Sequence, residues 1–62
     1  MNDHERHYAH ELSKMCKDER YKDNWNALRP MLSRVEKSGN VLSSEINMIK
    51  NLRARAKKHI NV

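Results

Sequence analysis

The sequence predicts a small all-α domain of three helices, with a kink in the second helix near Pro30 and a long basic helix at the C-terminal end. Three observations favour this fold class. The chain of 62 residues has one glycine and one proline, so it has few breaks. Phenylalanine is absent and β-branched residues are few, which disfavours strands. Apolar residues recur at spacings of three and four, the period of a helix.

The length of the chain limits how much surface it can bury. A chain of 62 residues forms one domain at most and buries only about 60% of the surface that its unfolded form exposes. Such chains often depend on disulfides, a metal or a second subunit. Cys16 is the only cysteine, which excludes a disulfide within the chain. We therefore expect residues 1–62 to form one helical domain that forms a homo-oligomer or binds a larger protein.

The cysteine content also bears on location. A single thiol and the lack of an apolar signal segment favour a reducing, cytoplasmic location. No apolar run approaches the roughly 20 residues that span a bilayer. Binding at a membrane surface is disfavoured as well, because the core needs the modest apolar side of the basic helix. We expect no membrane contact.

The first helix is predicted from about Asp3 to Lys17, with Asp3 as its N-cap or as an acid in its first turn. Its apolar residues are spaced four and three apart along one narrow stripe: Tyr8, Leu12 and Met15. A narrow stripe predicts packing against one neighbour only. Cys16, next to this stripe, is expected to be a small buried residue.

The second helix has the clearest apolar pattern. Five residues recur at spacings of four, three, four and three, and we call them the apolar seam: Tyr21, Trp25, Leu28, Leu32 and Val35. This spacing places all five on one side of a helix and is typical of helix pairing. We therefore predict the apolar seam as a protein interface. Its two aromatic residues could also stack on bases, but burial is favoured.

Pro30 interrupts the second helical pattern. It lacks a backbone N–H and crowds the carbonyl of Asn26, which predicts a kink or a new helix start. Two short helices, 19–28 and 30–37, are the alternative.

The third helix is predicted to follow a left-handed Gly39. Ser43 or Ser44 is expected to cap it, Glu45 to complement its positive end, and Ile60 to end it. Its apolar residues lie on one side at 3.6 residues per turn: Leu42, Ile46, Ile49, Leu52, Ala56 and Ile60.

The positive charge of the chain is concentrated at its C-terminal end. The net charge is +5, and residues 41–62 contain five basic groups opposed only by Glu45. At 100° per residue, three of them form one row along the margin of the apolar stripe, which we call the cationic row: Lys50, Arg53 and Lys57. Arg55 and Lys58 lie on the far side. With no carboxylate expected near it, the row suits a phosphate backbone.

The predicted nucleic-acid-binding residues are the five cations of this helix: Lys50, Arg53, Arg55, Lys57 and Lys58. The alternative is a solvated face whose last turn complements the helix dipole. A helix-turn-helix motif is weakly indicated, because Glu45 stands where that motif needs an apolar residue. If the third helix did enter a major groove, four residues could face the bases: Ser43, Ser44, Asn47 and Lys50.

Metal binding and catalysis have little support. His4, His7 and His10 lie three apart, so their side chains turn away from one another along a helix. The best pair, His7 with Glu11, provides two ligands, fewer than zinc sites use. One glycine cannot form a phosphate-binding loop, and nothing orients Cys16 as a nucleophile. We expect no cofactor, no metal, no small-molecule substrate and no enzymatic activity.

Two functions remain. The first is a small non-enzymatic regulatory protein that contacts nucleic acid, DNA in preference to RNA, through its basic C-terminal helix and mainly at phosphates. The alternative is an adaptor or inhibitor that docks a larger partner through the apolar seam, and an acidic protein surface would also suit the cations. Burial of the seam within the monomer would favour the first function, and its exposure would favour the second.

Overall fold

The computed structural model describes the backbone of residues 2–60 and the side chains of residues 2–57. Four elements follow one another along the chain: helix α1 (Asp3–Met15), a 3-10 helix (Glu19–Asn24), helix α2 (Trp25–Ser38) and helix α3 (Ser43–Ile60). The described residues contain no strand. The prediction of an all-α fold with three helices is confirmed.

A capping box starts α1. The side-chain oxygen of Asn2 accepts the Glu5 N–H at 2.8 Å, and the Glu5 carboxylate accepts the Asn2 N–H at 3.3 Å. These bonds satisfy backbone donors that have no partner within the helix. Asp3 is therefore an acid of the first turn and not the N-cap. The helix ends at Met15, before the predicted end at Lys17.

Helix α2 begins at Trp25, directly after the 3-10 helix. Asp18 caps the 3-10 helix by accepting the Arg20 N–H at 3.0 Å. The indole N–H of Trp25 donates to the carbonyl of Met15 at 2.9 Å. This bond joins the first turn of α2 to the end of α1.

Helix α2 continues through Pro30. Proline provides no N–H for the carbonyl of Asn26, but Asn26 is exposed, so water can hydrogen-bond to that carbonyl. The alternative of two helices over 19–28 and 30–37 is therefore wrong.

The end of α2 confirms the prediction for Gly39. Its φ is 74°, in the left-handed region, and its N–H donates to the carbonyl of Val35 at 2.9 Å. Helix α3 begins at Ser43, as predicted, but Ser43 lies inside the helix and is not its cap. Instead the N–H of Leu42 donates to the Glu45 carboxylate at 2.8 Å.

Arg34 holds the turn between α2 and α3 together. Its Nε donates to Glu45 Oε2 at 2.7 Å, and its Nη2 pairs with Glu45 Oε1. Its other N–H groups donate to Ser38 Oγ and to the carbonyl of Asn40, both at 3.1 Å. We call these four residues the turn network. Arg34 lowers the pKa of Glu45, since the paired guanidinium favours the charged carboxylate.

A second carboxylate connects α1 to the same turn. The side chain of Glu5 accepts the Val41 N–H at 3.1 Å. This bond, followed by the bond from Asn2, lowers the pKa of Glu5, because backbone donors stabilise the ionised form.

The core lies between α1 and the other elements. Helix α1 packs against both α2 and α3, and those two helices contact each other less. The prediction that α1 packs on one neighbour is therefore wrong, because α1 fills the space between two helices that diverge from a short turn. The buried apolar residues come from every element: Tyr8, Leu12, Met15, Cys16, Tyr21, Leu28, Val35, Val41, Ile49 and Leu52.

The apolar stripe of α3 is only partly buried. Ile49 and Leu52 are buried, and Ile46 and Ala56 pack against the core. Leu42, expected on this stripe, is 46% exposed because it precedes the helix. The side chain of Ile60 lies outside the described residues. None of the described helices combines the length and apolar character that a membrane-spanning helix requires.

Candidate nucleic-acid interface

A groove runs beside α3, where that helix approaches the end of α1 and the 3-10 helix. Its volume is about 520 Å³. Five of the side chains that line it are basic: Lys14, Arg20, Lys50, Arg53 and Lys57. Two are acidic, Glu11 and Asp18. We call it the basic groove, since it has an excess of three positive charges.

The cationic row of α3 forms one wall of the basic groove. Lys50, Arg53 and Lys57 all line it, whereas Arg55 lines a different groove. This separation agrees with the angular positions derived from the sequence. The side chain of Lys58, the remaining predicted cation, lies outside the described residues.

The opposite wall contains two cations that sequence reasoning missed. Lys14 comes from the last turn of α1 and Arg20 from the 3-10 helix. In the sequence both lie among acids, with Glu11, Asp18 and Glu19 nearby, so charges of both signs are mixed in this region. Only the packing of α1 against α3 brings them to the cationic row, and no local signal reveals it.

Glu11 corrects the expectation that no carboxylate lies near the cationic row. Its Oε2 lies 3.7 Å from Arg53 Nε, and its Oε1 lies 4.0 Å from Lys14 Nζ. The long-range fold thus places one acid between the two walls. Both distances exceed those of a direct hydrogen bond, and the Arg53 side chain is 44% exposed. Arg53 therefore remains accessible to a phosphate.

The second acid of the groove is more closely paired. Arg20 donates to both oxygens of Asp18, with Nη2 at 2.6 Å from Oδ2 and Nε at 3.2 Å from Oδ1. These hydrogen bonds lower the pKa of Asp18 and raise that of Arg20. Arg20 already has a carboxylate partner, so it contributes less net attraction for an anion than Lys14 does.

The two lysines of the cationic row lie in different surroundings. Lys50 Nζ lies 5.8 Å from the centre of the Tyr8 ring, close enough for a weak cation–π interaction. Lys57 is exposed and forms no ion pair with any carboxylate of the described residues. Both amino groups can therefore reach an anion without first losing a strong partner.

A second groove of about 410 Å³ borders the other side of α3. Its polar lining consists of amides, a hydroxyl and one cation: Asn24, Ser44, Asn47, Asn51 and Arg55. We call it the amide groove. Two of the four base-facing candidates proposed from sequence line it, Ser44 and Asn47. Of the other two, Lys50 lines the basic groove and Ser43 is exposed at the start of α3.

The predicted protein interface lies largely in the monomer core. Tyr21, Leu28 and Val35 are 7%, 0% and 1% exposed. Trp25 and Leu32 are half-buried. The Arg29 guanidinium covers the Trp25 ring at 4.9 Å from its centre. Tyr21 lies in the 3-10 helix and not in α2, so the apolar seam is divided between two elements, and most of it holds both of them against the rest of the monomer.

Within the described part of the chain, His4, His7 and His10 form no metal site with Glu11. His4 and His7 contact the Tyr8 ring edge-on, with ring centres 5.0 and 5.1 Å away, and His10 is exposed. Across the described residues, no three His, Cys, Asp or Glu side chains lie together as a metal site requires. Cys16 is buried, as predicted, and desolvation raises the pKa of its thiol, which disfavours the reactive thiolate.

Comparisons with known proteins add no assignment: no family model matches the chain, and neither does any curated protein or solved structure.

Proposed function

We propose that the protein is a small non-enzymatic regulator that contacts nucleic acid, DNA in preference to RNA, mainly through phosphate contacts made by α3. The observation that supports this most is the basic groove, where cations from three elements converge with an excess of three positive charges. Each cation that neutralises a phosphate releases a condensed counterion, which favours binding at low salt.

The burial of the apolar seam supports the same proposal. An adaptor that docks through Tyr21 and Leu28 would have to expose residues that now stabilise the monomer. The cations of α3 have no comparable structural role, since none of them is buried among the described side chains. The surface that remains for a partner is therefore mainly the cationic one.

The test is the fluorescence anisotropy of a labelled DNA duplex titrated with protein at several salt concentrations. Three phosphate contacts predict a slope of about −2.7 for log K against log salt. Changing Lys50, Arg53 and Lys57 together to Gln should remove most of the affinity and most of this slope. Circular dichroism should show unchanged helicity, because all three side chains are exposed.

The matched control changes Arg6, Lys22 and Lys37 to Gln. These residues are also exposed, and none of them lines the basic groove. The control removes the same net charge, so it separates a local contact from a general effect of charge. Equal losses in the two variants would contradict the assignment to α3. Binding that is absent even at low salt would contradict the proposed function.

The second candidate function is an adaptor or inhibitor that binds a larger protein. Half-buried Trp25 and Leu32 and exposed Leu42 are the apolar residues that favour it. An acidic partner would instead use the basic groove.

The proposal has four further parts: a cytoplasmic location, a homodimer, a single domain spanning residues 1–62 and a kink at Pro30. Analytical ultracentrifugation tests the dimer directly.

A further inference from the structure

We propose that α3 enters the major groove of B-form DNA, where Asn47 and Asn51 read adenine. This inference rests on the proposed function and goes beyond it, since phosphate contacts alone carry no sequence information.

The two grooves make α3 a ridge. The basic groove borders one side of the helix and the amide groove the other. Asn47 and Asn51 lie on the amide-groove side of this ridge and Ala54 on its basic-groove side, and all three are exposed. At 100° per residue, Asn47 and Asn51 lie about 40° apart on the helix surface. Within the described part of α3, the outward face thus presents two amides and one small residue.

Charge distribution across this ridge matches a major groove. Among the described side chains, the exposed centre (Asn47, Asn51 and Ala54) is uncharged, with Lys50 and Lys57 on one side and Arg55 on the other. A major groove about 12 Å wide admits one helix and has a phosphate strand along each edge. A neutral centre therefore faces the bases, while cations at both margins face the phosphates.

The far wall of the basic groove completes this arrangement. Lys14 and Arg20 face the cationic row across the groove. A phosphate strand that lies in the basic groove would meet cations on both sides. The second phosphate strand, along the opposite edge of the DNA major groove, would meet Arg55 and the Asn24 amide in the amide groove of the protein.

Adenine is the base that the amides fit best. An Asn side chain can accept from adenine N6 and donate to adenine N7 at the same time. Asn47 and Asn51 are one helical turn apart and rise about 6 Å along the axis, which is close to two base-pair steps of about 3.4 Å. A-form RNA has a deep, narrow major groove, so the same ridge does not fit an RNA duplex.

The test compares two DNA duplexes of one mixed sequence, one with adenine and one with 7-deazaadenine throughout, which lacks the N7 acceptor. Anisotropy titrations should show roughly five- to ten-fold weaker binding to the modified duplex. The double variant Asn47→Ala, Asn51→Ala should bind both duplexes equally and keep the salt slope. A matched control, Asn26→Ala with Ser33→Ala on exposed positions of α2, should keep the discrimination.

The remaining outcomes separate failure of the adenine readout from failure of the proposed function. Equal binding of both duplexes by the unmodified protein, with a steep salt slope, overturns the adenine readout and leaves the phosphate contacts in place. Equal or tighter binding to an RNA duplex or to single-stranded DNA of the same sequence also overturns the inference. No binding to any duplex at low salt contradicts the proposed function itself. Alanine favours helix at exposed positions, so the double variant is expected to fold.

Discussion

Two arginine–glutamate pairs occupy different regions of the molecule, and they differ in how tightly they are held. Arg34 and Glu45 form a bidentate pair across the α2–α3 turn, where the Glu45 side chain is 10% exposed. Arg53 and Glu11 approach only to 3.7 Å beside the basic groove, with Arg53 44% exposed. The same two residue types thus stabilise a turn in one place and moderate a binding surface in the other.

Hydrogen-bond geometry explains this difference. Glu45 also accepts the Leu42 N–H, so its loss would leave three partly buried donors without a partner. The Glu11 side chain is 16% exposed, close to the 10% of Glu45, but it has no direct hydrogen bond to Arg53. An ion pair of this loose geometry with a partly exposed arginine contributes little to stability. An ion pair is therefore informative about function only when its burial and geometry are known.

Removing the buried carboxylate should have the largest effect. Glu45→Ala takes the partner from Arg34 and from the start of α3, which should cost about 1–3 kcal/mol of unfolding free energy. In a domain of this size the Tm should fall by about 5–20 °C. Thermal unfolding followed by circular dichroism measures it. In the matched variant Glu11→Ala, the unfolding free energy should change by less than about 1 kcal/mol. Equal losses of stability in the two variants would contradict the difference drawn between the two ion pairs.

Acid should weaken the turn in the same way. The folded state lowers the pKa of Glu45, Glu5 and Asp18 below ordinary values of 4.5, 4.5 and 3.8. Stability from these groups is fully present above those values and is lost as the pH falls through the folded pKa values. The Tm should therefore stay nearly constant from pH 7 to about 5 and decrease below about pH 4.5.

The matched measurement repeats this pH series with Glu45→Gln. This variant has one fewer lowered carboxyl group, so its Tm should decrease less on acidification than that of the unmodified protein. An identical pH profile for the two proteins would show that the Arg34–Glu45 pair contributes no pH-dependent stability.

Removing the acid from the basic groove should strengthen binding. Glu11→Gln frees Arg53 and Lys14 from a nearby negative charge, so the affinity for a DNA duplex should rise about three-fold at low salt and less at higher salt. Anisotropy titration measures the change. The control Glu36→Gln alters the same charge at an exposed position of α2 and should change affinity less. A weaker complex with Glu11→Gln would contradict the assigned role.

Exchanging arginine for lysine should have the smallest effect in the groove. Arg53→Lys keeps the charge, and the pair with Glu11 has no bidentate geometry to lose, so affinity and Tm should stay nearly unchanged. Arg34→Lys keeps the charge too, but it cannot reproduce the paired bonds to Glu45 and should lower the Tm. Titration and thermal unfolding of both variants test this contrast. Equal Tm values for Arg53→Lys and Arg34→Lys would contradict it.

Much of the fold follows from short-range patterns. The spacing of Tyr8, Leu12 and Met15 predicts α1 correctly, and Gly39 ends α2 as expected. The errors lie at positions where neighbouring elements decide. Helix α1 packs against two neighbours rather than one, and the start of α3 is held by the Glu45 carboxylate, which accepts the Leu42 N–H, rather than by a serine cap.

Only one wall of the basic groove could be predicted from the sequence. The cationic row and the separate position of Arg55 follow from helical geometry alone. The opposite wall, with Lys14 and Arg20, could not be predicted, because charges of both signs alternate around these residues in the sequence. Nor could the sequence reveal that Glu11 lies beside Arg53, since that contact depends on how α1 packs against α3.

The sequence by itself determined the helical class, the site of the α2–α3 turn and the charge of α3. Each of these depends on spacing within a few residues or on the conformational freedom of one glycine. Tertiary structure alone decided that α1 packs between α2 and α3, that most of the apolar seam is buried and that a basic groove forms. These features depend on contacts between segments distant in sequence, and local propensity contains no information about such contacts.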